Sequence, residues 1–379
     1  MVQRYIKIIF FFLILIIIIT FFFVFFFQQK KEISYLDTID STALVDDIIY
    51  AVGRNNANDN KLTKAKFTIY NDKQEKLYEK LYNVGYTSRF CDLLVDNGDA
   101  VIVGSYENKK GDFLKHNSTA VILKYDDKGH LLFEKKMRNA SFFNVLSLND
   151  GYLAIGTRKD KENTKGILVK YHRDGSLDWK REYGNGKVSF SSGIFYDDKI
   201  YVVGSENGLG LLISFSEDGD IIDSVSNHET SSFGFSSITV VSDSLVLSGG
   251  KKISDEVSNP FLVKYDLELD YIDSIFYDSK HSGYFSKVIT DSNDNLVVLA
   301  SIIEMKKDKN LHHAYLGKYR SDLREVAVVP YYNEEDGYFT DISLVDNTYL
   351  VSGYSYYSKH GYLSKLLSYS EALKLLEVK

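Results

Sequence analysis

The chain repeats one pattern of hydrophobic and polar positions, a short alternating apolar run that ends at a glycine. Successive side chains of a β-strand point to opposite faces, so this alternation predicts strands with a buried face. The pattern occurs seven times, as DIIYAVGR (47–54), GDAVIVGS (98–105), DGYLAIGT (150–157), DKIYVVGS (198–205), DSLVLSGG (243–250), DNLVVLAS (294–301) and NTYLVSGY (347–354). We call its final small residue the closing position: Gly53, Gly104, Gly156, Gly204, Gly249, Ala300 and Gly353.

Each copy contains four strand-like segments. Before each Asp-, Asn- and Gly-rich turn lies a segment whose lead residue stands fourteen positions ahead of the closing position: Ile39, Phe90, Phe142, Phe190, Phe235 and Phe339, with Phe285 if the DSNDN loop has one extra residue. After the closing position, a variable loop leads to a strand, a polar turn and a last strand. These hairpins are 65–81, 120–136, 166–184, 210–225, 260–275, 314–329 and 361–376. The single Trp179 is one aromatic position of such a hairpin, so we expect it to pack rather than to act in catalysis.

Seven copies of four antiparallel strands at a period near 50 residues predict an all-β fold, a seven-bladed β-propeller over residues 38–379. The alternative is an open β-solenoid, whose repeats are usually much shorter. The first copy starts at its innermost strand and the last ends with ALKLLEVK, so the ring is expected to close without exchanging a strand between the termini. In the other arrangement, KEISYL (31–36) adds to the last blade.

The motif hydrophobic-Gly-Ser, loop, G-x-L-x-K-Y-x-x-D-G-x-L-x-W resembles the degenerate β-propeller repeats of exported bacterial proteins. These include quinoprotein-like repeats and the outer-membrane assembly scaffolds built from them. The resemblance covers about residues 38–379 and implies a fold rather than an activity. Since quinoprotein-like repeats carry a Trp in most blades and this chain has one, we expect no cofactor.

Residues 8–27, IIFFFLILIIIITFFFVFFF, contain no charged side chain. Twenty such residues can cross a hydrocarbon core of ~30 Å as a helix, and no small-residue cleavage site follows them. The sequence therefore predicts a short tail (1–7), a retained transmembrane signal anchor (8–27), a linker (28–37) and the propeller. A short tail followed by a large domain favours a single-pass protein of the cell membrane with an extracytoplasmic C-terminal domain.

Charge and cysteine content exclude several classes of function. The net charge is −7, and Arg4, Lys7, Lys30 and Lys31 against Glu32 contribute +3 of it, so the rest of the chain carries −10. An acidic domain argues against nucleic acid as a partner. The one cysteine, Cys91, can form neither an intramolecular disulfide nor a Cys-based zinc site.

A polar ring is predicted where the seven innermost strands surround the channel. The two residues after each lead residue are mostly small or polar, and the second of each pair gives Asp92, Asn144, Ser192, Ser237, Lys287 and Asp341. Such a ring either binds a ligand or an ion at the channel mouth or consists of ordinary strand starts satisfied by water. We expect no metal site, because DSNDN (291–295) lacks the Gly and Glu of a calcium loop and adjacent His312 and His313 would face opposite ways.

One lysine recurs in the third strand of five copies, where structural ion pairs are expected: Lys124, Lys170, Lys264, Lys318 and Lys365. The longest loops predicted are 54–64, 105–119, 157–165, 250–259 and 302–313, all on one face of the ring. No hydrolase or nucleotide motif occurs. The leading hypothesis is therefore a non-enzymatic binding or scaffold module for a protein or glycan, held at the membrane through 8–27. The alternative is an extracellular glycan- or peptide-acting hydrolase or lyase with Asp92 and Asp341 near the channel.

Overall fold

The computed structural model describes residues 36–56, 62–110, 117–160, 162–227, 230–254, 257–278, 281–305, 310–331, 336–345, 348–357, 361–370 and 372–378. The predicted membrane segment 8–27 and most of the linker lie outside these residues, so the anchor stays a prediction. Within the described ranges, no helix has the length and the apolar character needed to span a bilayer.

Seven four-stranded antiparallel sheets form the molecule, and each consists of four consecutive strands. Blade 1 consists of β1 Asp37–Val45, β2 Ile48–Asn55, β3 Lys64–Tyr70 and β4 Lys76–Tyr82, and blade 2 consists of β5 Thr87–Asp96, β6 Asp99–Glu107, β7 Thr119–Tyr125 and β8 Leu131–Arg138. Blade 3 consists of β9 Ala140–Ser147, β10 Gly151–Asp160, β11 Asn163–His172 and β12 Leu177–Tyr183. Blade 4 consists of β13 Val188–Tyr196, β14 Lys199–Glu206, β15 Leu209–Ser216 and β16 Ile221–Asn227. Blade 5 consists of β17 Thr230–Val241, β18 Ser244–Lys252, β19 Ser258–Tyr265 and β20 Tyr271–Phe276. Blade 6 consists of β21 Ser282–Thr290, β22 Asn295–Met305, β23 Asn310–Arg320 and β24 Glu325–Tyr331. Blade 7 consists of β25 Gly337–Val345, β26 Thr348–Tyr357, β27 Gly361–Ser370 and β28 Leu375–Val378. The predicted seven-bladed propeller is confirmed.

The alternating strand direction gives the ring two different faces. Tight turns join the first strand to the second and the third to the fourth in each blade, and we call their side the turn face. The connections from second to third strand, and from one blade to the next, lie at the opposite ends of the strands. We call that side the connector face.

Two of the predicted loops on the connector face are wrong. Residues 157–160 and 163–165 continue β10 and β11, and 302–305 and 310–313 continue β22 and β23. Pairs such as Arg158↔Lys165 and Ile303↔His312 extend the hairpins beyond the blade core. Polar composition at these positions reflects solvent exposure, which a hairpin that projects from a sheet shares with a loop.

The ring closes between blade 7 and blade 1 through side chains rather than through a shared strand. Ser364 Oγ donates to Asp37 Oδ2 at 2.7 Å, and Ser343 Oγ donates to the carbonyl of Thr42 at 3.1 Å. Among the described side chains, the apolar cluster at this seam has five buried members, Ile39, Ile49, Ala51, Leu350 and Leu366. Each of the other six clusters has at least eleven. Each blade is built from its own four consecutive strands, so no described strand is exchanged between the termini, and residues 31–35 of the alternative arrangement lie outside the described residues.

A β-bulge follows the lead residue of the first strand in every blade. In blade 3, Phe142 pairs with Gly156 and Asn144 pairs with Ile155, so Phe143 is the extra residue. A Cβ atom at Gly156 would lie 2.0 Å from the carbonyl oxygen of Ser141, which is why the closing position is small. Phe285 pairs with Ala300 across the same bulge, which confirms the extra residue expected in the DSNDN loop.

We expect Gly156→Ala to lower the free energy of unfolding by about 2 kcal/mol, because the added methyl group forces the bulged backbone aside. Urea unfolding followed by circular dichroism measures this change. Ala300→Gly is the matched control, since the blade 6 backbone already accommodates a methyl group there. A Gly156→Ala variant as stable as the wild type would show that the bulge does not require the closing glycine.

Neighbouring blades pack through two positions, one on the outer strand of a blade and one in the turn of the following blade. A large side chain at one of these positions goes with a small side chain at the other. In blades 1 to 3 the outer strand carries Tyr78, Phe133 or Trp179, and the turn of the following blade carries a glycine: Gly129, Gly175 and Gly219. In blades 4 to 6 the outer-strand position holds Asp223, Asp273 or Ala327. The following turn then carries a buried leucine at positive φ: Leu269 (φ 67), Leu323 (φ 66) and Leu373 (φ 57). The leucines fill the space that an aromatic ring fills elsewhere, and the packing role expected for Trp179 is confirmed.

Three of the recurring lysines, Lys124, Lys170 and Lys318, form the ion pairs expected of them, whereas Lys264 bonds a backbone carbonyl. Lys124 Nζ lies 2.9 Å from Asp99, Lys170 Nζ lies 2.8 Å from Asp150, and Lys264 Nζ donates to the carbonyl of Ser321 at 2.9 Å. In blade 6, Lys318 Nζ lies 2.8 Å from Asp291 Oδ2.

Asp291 is the centre of a buried polar network. Its carboxylate accepts bonds from Tyr349 OH at 2.8 Å and from the backbone N–H groups of Asn293 and Asn295, which confirms turn chemistry for DSNDN. Burial alone would raise its pKa, but the bonds from Lys318, Asn295 and Tyr349 outweigh burial and lower the pKa to about 2.

A depressed pKa means that Asp291 stabilises the fold above its unfolded pKa of about 4 and loses this contribution as the pH falls towards 2. The contribution at neutral pH is about 2 kcal/mol. We expect Asp291→Asn to remove it, so that wild type and variant converge in stability between pH 4 and about 2. Denaturant unfolding at several pH values measures this, and a pH-independent gap between the two proteins would contradict it.

Candidate functional site

All six residues predicted for the channel mouth lie on the innermost strands, two positions after the lead residue and directly after the bulge. Asp92, Asn144, Ser192, Ser237 and Lys287 line one cavity of about 90 Å³. Asp341 lies behind Lys287, with 2.9 Å between Lys287 Nζ and Asp341 Oδ1. The spacing from the lead residue therefore identified a set of side chains that the ring brings together.

Carboxyl and amide side chains at this position bond the backbone of the next blade. Asp341 Oδ2 accepts from the N–H of Thr42 at 2.8 Å, and Asp92 Oδ2 accepts from the N–H of Val145 at 2.9 Å. Asn144 Oδ1 accepts from the N–H of Gly193 at 3.0 Å. In each case the donor follows the equivalent ring position of the neighbouring blade. The side chain thus satisfies an inner-strand N–H group that its own blade leaves unpaired.

Ser41 connects the two carboxyl groups and was not among the predicted site residues. Its Oγ lies 2.9 Å from Asp92 Oδ1 and 2.9 Å from Asp341 Oδ2. Ser41 lies two positions after the lead residue Ile39, which is the ring position of blade 1. The contacts complete a chain of side chains from Lys287 in blade 6 through Asp341, Ser41 and Asp92 to Asn144 in blade 3.

A count of protons assigns the charge state of this chain. A serine hydroxyl has one proton to donate, so Ser41 can donate to only one of the two carboxyl groups at a time. Burial raises the pKa of Asp92, and the nearby charge of Asp341 raises it further although Lys287 acts in the opposite direction. We therefore expect Asp92 to be protonated, so that Asp92 Oδ1 donates to Ser41 Oγ and Ser41 Oγ donates to Asp341 Oδ2.

Lys287 balances the remaining negative charge. Burial opposes its charged form, but the attraction of Asp341, which lies 2.9 Å away, outweighs burial and raises its pKa above the ordinary value. The resulting arrangement has a neutral Asp92 and an Asp341–Lys287 ion pair. It leaves no net charge among these three side chains, in a region where an unbalanced charge would cost several kcal/mol.

The cavity wall formed by blades 4 and 5 differs from the rest of the ring. Among the described residues, the hydroxyl groups of Ser192 and Ser237 have no hydrogen-bond partner, and Ser191 Oγ donates to the carbonyl of Phe235 at 2.7 Å. Cys91 lies at the bulge of blade 2, and burial raises the pKa of its thiol. A cavity of this size holds a few water molecules, whereas pockets for drug-sized ligands measure roughly 300–1,000 Å³.

A larger cleft of about 680 Å³ opens on the connector face between blades 3 and 4. The connection Gly184–Asn185–Gly186 and the hairpin residues Glu206 and Asn207 line it, together with Lys165, Glu182, Tyr183 and Ile221. Sequence reasoning did not identify this cleft, because its walls come from an outer strand and two connections that no repeat position marks. Its size lies within the range of ligand sites, and its walls offer carboxylate, amide and ring groups.

Metal-binding geometry within the described residues is limited to one exposed group, Asp150, His172 and Asp178, whose ligand atoms lie within 4.8 Å of one another. Lys170 Nζ already pairs with both carboxylates, at 2.8 Å and 3.3 Å. At the predicted histidine pair, His313 Nε2 lies 3.2 Å from Glu304, while the N–H of His312 donates to Asp336 at 2.9 Å.

Comparisons with known proteins identify the fold. No family model matches the sequence, and no curated protein matches it. The structure is similar to the Dos1 propeller (12% identity, TM-score 0.53, 90% of this chain and 83% of that chain). It is also similar to the β-propeller domain of the Trilobed protease from Pyrococcus furiosus, which has an open velcro topology (15%, 0.52, 92% and 95%). A third similar structure is the Pyrococcus horikoshii acylaminoacyl peptidase (11%, 0.51, 90% and 52%), of whose length this chain spans about half. At these identities the likeness shows the propeller fold alone.

Proposed function

We propose that the protein is a membrane-anchored, extracytoplasmic β-propeller that binds a protein or glycan partner through its connector face and performs no chemistry on it. The proposal includes the anchor at residues 8–27 and kinship with the propeller repeats of exported bacterial proteins. One observation carries it: the channel carboxyl groups serve the fold, whereas the connector-face cleft between blades 3 and 4 has the size of a ligand site.

The cleft suits a polar partner. Glu206 carries a carboxylate to which no other described side chain is hydrogen-bonded or ion-paired, and Glu182 is surrounded by Arg158, Lys165 and Lys180. Tyr183 packs on Phe190 with 6.0 Å between the ring centroids, so its position is fixed by the core. A rigid ring beside carboxylate and amide groups is the kind of surface that holds a sugar or a polar peptide segment.

Capture by the full chain in lipid nanodiscs tests the proposal, with immobilised glycans and crosslinked envelope proteins as prey. We expect a partner whose binding to Glu206→Arg falls at least tenfold. The matched control is Glu268→Arg, which makes the same charge change at an exposed turn-face residue and should bind normally. Equal loss in both variants, or capture of no partner at all, would contradict a connector-face binding module.

A hydrolase is the second candidate, because both carboxyl groups contact one oxygen. Asp92 Oδ1 and Asp341 Oδ2 each lie 2.9 Å from Ser41 Oγ, so they are within about twice that distance of each other. Paired carboxyl groups of glycosidases lie ~5–10 Å apart. Here, however, Ser41 occupies the space between them, and Asp92 and Asp341 are only 8% and 3% exposed. Turnover of a glycan or peptide that Asp92→Asn abolishes would establish the hydrolase instead.

A further inference from the structure

The chain enters the propeller on the connector face, next to the channel. The N–H of Asn56 donates to the carbonyl of Leu36 at 2.9 Å, and the N–H of Leu36 donates to Asn56 Oδ1. Leu36 therefore continues β1, the innermost strand of blade 1, beyond the closing glycine Gly53 and towards the connections. Anything attached to the N-terminal segment is attached at this face.

The two faces differ strongly in charge. The described turn-face segments contain 20 Asp and Glu against 5 Lys and Arg, a net charge of −15. They are 46–47, 71–75, 97–98, 126–130, 148–150, 173–176, 197–198, 217–220, 242–243, 266–270, 291–294, 321–324 and 372–374.

The described connector-face residues include 3 Asp and Glu against 3 Lys and Arg, which gives no net charge. They are 56, 62–63, 83–86, 108–110, 117–118, 139, 162, 184–187, 207–208, 253–254, 257, 277–278, 281 and 336. The acidity of the domain is thus concentrated on the face opposite the chain entry.

The length of the linker restricts which face can lie towards the bilayer. Residues 28–35 span at most about 28 Å when fully extended. To reach the turn face from Leu36, the chain must cross three strand spacings, about 14 Å, and then descend one strand of about 25–30 Å. The sum exceeds the reach of the linker, and the ring side chains narrow the alternative path through the channel to a cavity of about 90 Å³.

We propose that the connector face is turned towards the bilayer surface and that the acidic turn face points away from it. This inference rests on the proposed anchor at residues 8–27. Anionic headgroups repel the turn face and do not repel the electrically balanced connector face, and the repulsion acts within a Debye length of about 10 Å. Tether position and charge therefore favour the same orientation.

The orientation also defines the partner more narrowly. The cleft between blades 3 and 4 lies on the connector face, so it opens into the space between propeller and bilayer. A partner bound there is itself held at the membrane, as a membrane protein or a lipid-linked glycan.

Energy transfer from single labelled sites to acceptor-labelled lipid headgroups tests the orientation. The full chain with Cys91→Ser receives one new thiol in blade 2: Lys110→Cys on the connector face, Asp127→Cys on the turn face or Leu132→Cys on the outer rim, all exposed positions. The vesicles are phosphatidylcholine with a minor fraction of phosphatidylglycerol.

We expect transfer from Lys110→Cys to be several-fold more efficient than from Asp127→Cys, with Leu132→Cys between them. Equal transfer from the two faces, or the highest transfer from the rim, would overturn the proposed orientation. Flotation of the vesicles separates this outcome from failure of the anchor itself, because a chain that does not float with the lipid contradicts the anchor. Unfolding curves of each labelled variant confirm that the ring is intact.

Discussion

Asp92→Asn is expected to keep or raise stability at pH 7, whereas Asp341→Asn lowers the free energy of unfolding by about 3 kcal/mol. The two substitutions make the same change, from carboxyl to amide, at neighbouring positions of one polar chain. Asp92 is the neutral member, so an amide reproduces its bonds: Nδ2 donates to Ser41, and Oδ1 accepts from Val145 and Asn144.

Asp341 is the charged member and cannot be replaced in this way. An amide there still accepts from Thr42, but it leaves the ammonium group of Lys287 without its partner at 2.9 Å. Removing one partner of a buried pair costs about 3–5 kcal/mol, and the side chain of Lys287 is 30% exposed, so the lower end applies. Denaturant unfolding of both variants decides between the opposite effects. Equal losses would show that Asp92 is ionised in the folded state.

The pH dependence provides a second measurement of the same assignment. A raised pKa means that folded Asp92 binds a proton that the unfolded chain releases above its ordinary pKa of about 4. The stabilising contribution is complete below that pH and declines as the pH rises towards the folded pKa. Asp92→Asn does not titrate, so its stability relative to the wild type should increase between pH 4 and 8. A constant difference across this range would contradict a protonated Asp92.

Gly175→Leu is expected to destabilise the wild type by about 3 kcal/mol and to stabilise a Phe133→Ala background. Gly175 lies at φ 82, and a Cβ atom there would be 2.6 Å from the ring of Phe133. Truncating Phe133, which is 9% exposed, empties that space at a cost of about 3 kcal/mol. Leucine then fills it, as Leu323 does where the outer strand of the preceding blade carries Asp273.

The measurement is a double-mutant cycle on Phe133→Ala, Gly175→Leu and the combined variant, with unfolding followed by tyrosine and tryptophan fluorescence. Part of the stability remains lost in the combined variant, because leucine at positive φ is strained by about 1 kcal/mol. The reversal of sign is the decisive result. Additive losses would mean that the aromatic–glycine and leucine interfaces are packed independently of each other.

The sequence predicts the architecture because its signal is repeated seven times. A single alternating run such as GDAVIVGS would not distinguish one sheet from another, but the constant spacing of fourteen residues from Phe90, Phe142 and Phe190 to their closing glycines predicts equivalent positions in equivalent blades. The same spacing identified the ring residues, since a fixed distance from the bulge places every one of them at the channel. The local sequence pattern was therefore sufficient to predict the strands and the ring position wherever it repeats from blade to blade.

The features that the sequence did not predict depend on contacts between blades, and no local sequence pattern indicates such contacts. Ser41 looks like any small strand residue, and its role appears only where Asp92 and Asp341 meet around it. The cleft beside Glu206 likewise arises from two neighbouring blades. The exchange of aromatic and leucine between outer strand and turn is visible in the sequence, but only when each blade is compared with the one that follows it.

The seam between blades 7 and 1 has a mechanical consequence. Leu36 leads directly into β1, and β1 forms one side of the interface that no shared strand secures. Tension on the N-terminal segment is therefore applied first to the bond that Asp37 accepts from Ser364, and then to the bonds that Asp341 accepts from Ser41 and Thr42. Under load the ring should open at this seam, with blade 1 separating from blade 7, while the strand pairs within each blade stay intact.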